Sequence, residues 1–243
     1  MNTSFADIEK KENRKDLIIS ICVFLSGFSC FAQLYYFQPL LPDLAKDFIL
    51  SASESSFAIS FSTLGMVFGL FTTMFVADRI PRKKMIGTGL LSSSIFSVAA
   101  SFSPTFLPLI LLSAAKGFLL SGATSVSMAY IAEEVSSRNK GKIMGLYIAG
   151  NALGGMAGRV ISSWIGALYT WRIASVSIGL ICALFAILFL LFSPRSTNFM
   201  PRKESFHTLI IANLQLITSK ALIPFYLTGG LILGVFVSLY NYL

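Results

Sequence analysis

Charge is scarce in this sequence. Only 12% of its 243 residues are Asp, Glu, Lys or Arg, against roughly a quarter in an ordinary soluble domain, while 55% are aliphatic, aromatic, Met or Cys. That balance excludes a chain that water keeps monomeric. The three cysteines, Cys22, Cys30 and Cys182, all fall in apolar stretches, where they act as small hydrophobes, so a disulfide framework is not expected. With one histidine, His207, and no carboxylate cluster in any apolar stretch, a metal or haem site has little to be built from. Walker loops, nucleophile elbows and His-Glu-x-x-His patterns are missing too. No cofactor is expected, and the chain does not read as an enzyme.

Apolar length takes the place of charge. A bilayer core about 30 Å thick is crossed by roughly 20 helical residues at about 1.5 Å each. Residues 17–42, 55–77, 173–194 and 221–243 contain no charged residue at all. Residues 85–132 hold two further spans around the turn-forming SFSPTFLP at 101–108, with Lys116 as their one charge. Residues 143–171 give another span, interrupted only by Arg159. The expectation is an all-α, polytopic membrane helix bundle of seven transmembrane helices.

The basic residues follow the alternation of these spans. If the N-terminus is cytoplasmic, the inside segments hold Lys10, Lys11, Arg14 and Lys15, then Arg79, Arg82, Lys83 and Lys84, then Arg138, Lys140 and Lys142, and finally Arg195, Arg202, Lys203 and Lys220. The outside segments hold only Lys46 and Arg172. The positive-inside rule therefore places the N-terminus in the cytoplasm of a multi-pass protein of the plasma or inner cell membrane. The same pattern accounts for the net charge of +8 without nucleic acid. The first span is too long for a signal-peptide core and is read as retained.

The chain divides into four regions. Residues 1–16 form a charged cytoplasmic tail, 17–194 a six-helix transmembrane bundle, 195–220 a cytoplasmic central linker, and 221–243 the first helix of a second, truncated bundle. Within the linker, the stretch HTLIIANLQLI at 207–217 has the spacing of an amphipathic helix on the membrane surface. Six spans, a linker and a restart suit a protein of two related bundles. A faint echo agrees, since Phe31, Leu34, Tyr35 and Phe37 match Phe236, Leu239, Tyr240 and Tyr242.

The segment between spans two and three reads Val76-Ala77-Asp78-Arg79-Ile80-Pro81-Arg82-Lys83-Lys84. It resembles the signature loop of the major facilitator superfamily, Gly-x-Leu-Ala-Asp-Arg-x-Gly-Arg-Lys. Asp78, Arg79, Arg82 and Lys83 match, while Met74 and Pro81 stand where the pattern has glycines. Positive-inside placement alone predicts Arg and Lys but not a lone Asp at a helix end, and a carboxylate there accepts charge-assisted hydrogen bonds that can latch one conformation. In span five, Gly150, Gly154 and Gly158 share one helix face and permit close approach of a neighbour. With Asn151 and Gly155 they are similar to the antiporter motif of exporters in that superfamily, Gly-Pro-x-x-Gly-Gly, with Asn151 in place of proline. Span four has Ser113 where the family carries Arg, and Lys116 stands three residues on, on the same side of the helix.

Polar residues recur at helical spacing: Ser26, Ser29, Gln33 and Tyr36; Ser56, Ser60 and Thr63; Ser113, Lys116, Thr124 and Ser127. Such faces suit either a water-filled cavity or hydrogen bonding inside a closed bundle. Lys116 lies 17 residues before Glu133 and Arg159 lies 17 after Lys142, so both stand about 26 Å above the cytoplasmic ends. Gln33, Tyr36, Ser113, Lys116 and Arg159 are the expected substrate cavity. The resemblance implies a partial major facilitator fold and proton-coupled efflux of a small molecule by alternating access, and the two cations favour a substrate with an anionic group. Protons and the lipid bilayer are the other expected partners. Two other readings stay open: an inactive fragment or scaffold that needs a separate second half, and an uncoupled facilitator, since no span contains Asp or Glu.

Overall fold

A computed structural model describes residues 5–201, 208, 215–216 and 218–242. The chain is helical, with seven long helices among the described residues: α1 (Phe5–Tyr35), α2 (Phe57–Val76), α3 (Arg82–Ala100), α4 (Phe106–Glu134), α5 (Lys140–Leu168), α6 (Trp171–Phe192) and α7 (Ile223–Tyr242). Four stretches, Glu12–Asp47, Ala52–Arg79, Phe106–Glu134 and Trp171–Phe192, are long and apolar enough to cross a membrane by length and composition. Helices α3 and α5 fall short of that composition because Lys83 and Lys84 lie in the first turn of the one and Asn151 and Arg159 interrupt the other.

Local chemistry sets the boundaries. Helix α1 begins inside the expected tail and runs unbroken into the first span, then stops before a 3-10 turn, Gln38–Leu40, that carries Pro39. A short helix, Leu41–Asp47, comes next, and a second, Ala52–Ser55, is opened by a capping box in which Ser51 Oγ accepts from the Glu54 amide and the Glu54 carboxylate accepts from the Ser51 amide. The turn expected at 101–108 is shorter: α4 starts at Phe106 after an extended Thr105. Pro108 thus sits in the first turn, where its missing N–H has no intrahelical partner to lose.

Two compact units divide the chain, Met1–Pro201 and Arg202–Leu243. The first holds α1 to α6 and continues past the expected end of the bundle, so that residues 195–201 of the expected linker belong to it. The second holds α7. The amphipathic stretch at 207–217 lies largely outside the described residues, as do the side chains of Phe236, Leu239, Tyr240 and Tyr242.

Within the first unit α1 packs on α5 and α6, α2 on α4, and α3 on α4 and α6. Two apolar cores result. One, toward the end that carries the basic loops, gathers Ile19, Val23, Ile86, Tyr130, Ile143 and Phe189. The other, toward the opposite end, gathers Tyr36, Phe37, Leu40, Leu109, Trp171 and Ile178. Outside them stand Phe68, Ile95, Trp164 and Leu191, each more than half exposed, as lipid-facing residues of a membrane bundle are.

Helices α2 and α4 touch backbone to backbone. A Cβ on Gly117 would collide with the Ser62 carbonyl, and one on Gly65 with the Ala114 carbonyl. Gly145 of α5 has open space instead. Gly117→Ala is therefore expected to cost about 1–3 kcal/mol through overpacking, whereas Gly145→Ala is neutral or gains up to about 1 kcal/mol of helix propensity. Thermal unfolding of the two variants in detergent checks the contrast, and equal melting temperatures would contradict it.

Candidate functional site

The loop between α2 and α3 is built without glycine. Ala77–Arg79 makes one 3-10 turn, Ile80 and Pro81 are extended, and α3 starts at Arg82. No described glycine has positive φ, so Pro81 serves where a glycine was expected by supplying the extended backbone itself.

Arg82 is the centre of this end of the bundle. It is only 8% exposed, and each of its three guanidinium nitrogens has an acceptor. Nη2 donates to Asp78 Oδ1 at 2.9 Å and to Glu133 Oε1 at 3.0 Å, Nε donates to both Glu133 oxygens at 3.2 and 3.3 Å, and Nη1 donates to the Ala77 carbonyl at 2.7 Å. The Phe199 ring covers it, 4.9 Å from Cζ to centroid. A planar fork of donors matches two carboxylates as lysine cannot. The clasp therefore joins the α2–α3 loop to the end of α4. Lys83 is partly buried and donates from Nζ to the Ser193 carbonyl at 2.5 Å, whereas Arg79 is exposed. Of the four loop residues read from the sequence, three are thus held in the structure.

Sequence reasoning missed the partners. Glu133 and Glu134 were only loop charges, and Asp16 and Lys15 only tail charges. In the structure Glu134 pairs with Lys15 at 2.8 Å, and Asp16, 4% exposed, accepts from the Ser136 hydroxyl and from Asn139 Nδ2 at 2.8 Å. The one available signal was the doublet Glu133-Glu134, two acids in otherwise basic loops.

The glycines of α5 form a seam with α1. A Cβ on Gly150 would stand 2.6 Å from the Phe24 carbonyl oxygen, one on Gly158 would stand 2.7 Å from Ala32 Cα, and one on Gly154 would strike Phe28. Gly155 turns toward Tyr35, and Asn151 fills the space over Gly27. Three glycines at intervals of four thus bring two helix backbones together. Gly65 and Gly69 of α2 do the same against α4, and their spacing was an equal signal left unread.

The expected cavity residues are brought to the opposite end of the bundle. Gln33 is fully buried, accepting from Ser97 Oγ at 3.2 Å and donating to Ser29 Oγ at 3.3 Å. Tyr36 is equally buried, its hydroxyl 2.9 Å from Ser175 Oγ. Ser113 and Lys116 are each 1% exposed, with no hydrogen-bond partner for Ser113 Oγ or Lys116 Nζ. The ammonium lies instead over two rings, 4.5 Å from Tyr36 and 4.8 Å from Phe37. Arg159, partly buried, lies 4.7 Å over Tyr35. The two cations therefore stand on the rings of neighbouring residues. Ring quadrupoles give each roughly 0.5–2 kcal/mol. Of the polar stripes, the one on α1 is buried between helices, whereas Ser60 and Thr63 are exposed and bonded to their own helix carbonyls. Among the described residues no His, Cys, Asp and Glu cluster could hold a metal ion.

A six-helix unit with a charged clasp at one end and buried cations at the other defines a polytopic membrane protein. The family model for the Major Facilitator Superfamily matches residues 20–243. The chain belongs to that superfamily. It is 35% identical over 236 residues to an uncharacterized transporter of Buchnera aphidicola subsp. Schizaphis graminum, covering 97% of this chain and 57% of that protein. It is also 35% identical over 226 residues to the inner membrane transport protein YnfM of Escherichia coli, covering 93% of this chain and 54% of that one. The crystal structure of the human organic anion transporter MFSD10 shares the fold, with a TM-score of 0.62 and 18% identity over 80% of this chain and 52% of that one. The chain spans about half the length of the relatives it matches.

The clasp ranks the basic residues of the loop. Glu133→Gln is expected to cost about 1–3 kcal/mol, because the nearly buried Arg82 loses an ionised acceptor. Arg79→Ala, at an exposed position, is expected within about 0.5 kcal/mol of the parent. Denaturation of the purified variants measures both, and an Arg79 variant that loses as much as the Glu133 variant would contradict the assignment.

Proposed function

We propose that this chain supplies the first bundle, and the start of the second, of a secondary transporter that exports a small solute in exchange for protons by alternating access. The carrying observation is the Arg82 clasp. A nearly buried guanidinium shared by Asp78 and Glu133 holds two elements by bonds that can be exchanged as a set, which is what a two-state latch requires. The basic end faces the cytoplasm of a cell membrane, on the distribution of Lys and Arg. The glycine seam of α5, similar to the antiporter run of exporters, supports the outward direction.

The solute carries an anionic group. Lys116 is buried with no hydrogen-bond partner for Nζ, and no span contains a carboxylate to balance it. A buried cation calls for a compensating charge or dipoles. Gln33, Tyr36 and Ser113 line the same region and offer hydrogen bonds to such a group. The lack of carboxylates in the spans also favours one rival, an uncoupled facilitator, because carboxylates are the usual proton carriers of transporters.

Vesicles holding the whole transporter, loaded with a panel of organic anions, separate the two. With one proton exchanged per solute, each unit of pH difference is expected to sustain about a tenfold concentration ratio. Equal concentrations on both sides, with or without the gradient, would make the protein a facilitator, and absence of any flux would remove the transport reading.

A further inference from the structure

Glu134 is the next residue after Glu133, yet its carboxylate serves a different set of donors. Its side chain has no exposure to solvent, so each oxygen needs a partner. Oε2 accepts from Lys15 Nζ of α1 and from Thr197 Oγ1, both at 2.8 Å, and Oε1 accepts from the Asn198 amide at 2.7 Å. Two of its three donors therefore come from the residues just after α6.

That segment, 193–199, has no regular secondary structure and is held by hydrogen bonds that each involve a side chain, its own or one of the bundle. Asn198 Nδ2 donates to the Glu133 carbonyl at 2.8 Å, the Lys83 amide to Ser196 Oγ at 3.0 Å, and the Tyr130 hydroxyl to the Pro194 carbonyl at 2.8 Å. Phe199 stacks on Arg82. A segment without its own ladder of hydrogen bonds comes free as one piece once these bonds break. One of its contacts, Phe199 on Arg82, is made to the clasp itself, and Asn198 bonds the main chain of a clasp residue, Glu133.

We propose that residues 193–199 form a strap that docks on Glu134 while the Arg82 clasp is closed and leaves when it opens, with Glu134 and Lys15 as positioning residues of the transport cycle. This rests on the clasp being the latch of the proposed function. Opening the clasp withdraws the Arg82 guanidinium from under Phe199 and so loosens the strap. By reciprocity, a strap held in place favours the closed clasp by the same factor. The strap leads directly into the residues after Pro201, so its release lengthens the tether that leaves the first unit.

The test uses the whole transporter in membranes, with Cys22, Cys30 and Cys182 replaced by Ala and thiols introduced by Lys83→Cys and Ser196→Cys. A short bifunctional thiol reagent with a reducible spacer should join them in high yield. Adding Glu134→Gln should slow cross-linking about tenfold, the loss of a charge-assisted contact, with recovery in Glu134→Asp at equal membrane level. Thr197→Val, which removes one donor alone, should fall between. Transport by the joined protein should stop and return on reduction. Cross-linking unaffected by Glu134→Gln, or unchanged transport through the joined protein, would overturn the strap. Cross-linking is read without any solute, so a parent that transports nothing counts against the proposed function while the dependence on Glu134 still decides the strap.

Discussion

A guanidinium that is 8% exposed has to be met by acceptors on all its donors, and this requirement organises the basic end of the molecule. Arg82 opens α3, so its partners must arrive from elsewhere: Asp78 from the turn before it, Glu133 from the end of α4, and the Ala77 carbonyl from the end of α2. Breaking a well-buried ion pair by removing one partner costs about 3–5 kcal/mol. Here Glu133 is 25% and Asp78 42% exposed, and water reaches the carboxylates if the arginine withdraws. The clasp is thus nearly dry at its arginine and wet at its carboxylate rim.

The helices around it leave little room for other adjustments. Glycine seams fasten α1 to α5 and α2 to α4 at backbone distance, and in the absence of a hydrophobic drive between helices such close contact is what holds them. Buried serines return their hydroxyl hydrogens to carbonyls of their own helices, as Ser26 does to Val23 and Ser127 to Ala123. The first unit is thus closely packed along its length, with its ion pairs gathered at its ends. At the opposite end Asp47 holds Arg172 and the Trp171 indole, a smaller and more exposed counterpart.

Spans, turns and the charged loop around Asp78 were legible because each depends on local composition: twenty apolar residues in a row, a proline pair, an aspartate where topology asks only for lysine and arginine. The partners were not. Glu133 stands 51 residues from Arg82 and Lys15 stands 119 from Glu134, and no local periodicity reports on pairing over such distances. Spacing showed that Ser26, Ser29, Gln33 and Tyr36 share a face, but a polar face looks the same whether it meets water or another helix. Nor did the position of Lys116 announce that its counterpart is a pair of aromatic rings, since Tyr36 was expected near it for its hydroxyl and Phe37 reads as apolar core.

Non-additivity at Arg82 tests the account most directly. Asp78→Asn and Glu133→Gln, singly and together, form a cycle whose two members touch only through one guanidinium. Unfolding free energies of the four proteins in detergent are expected to show an interaction of at least about 0.5 kcal/mol, the range for residues sharing one ionic network. Losses that add within about 0.3 kcal/mol, as for independent sites, would mean that the two carboxylates do not share Arg82 and that no clasp exists.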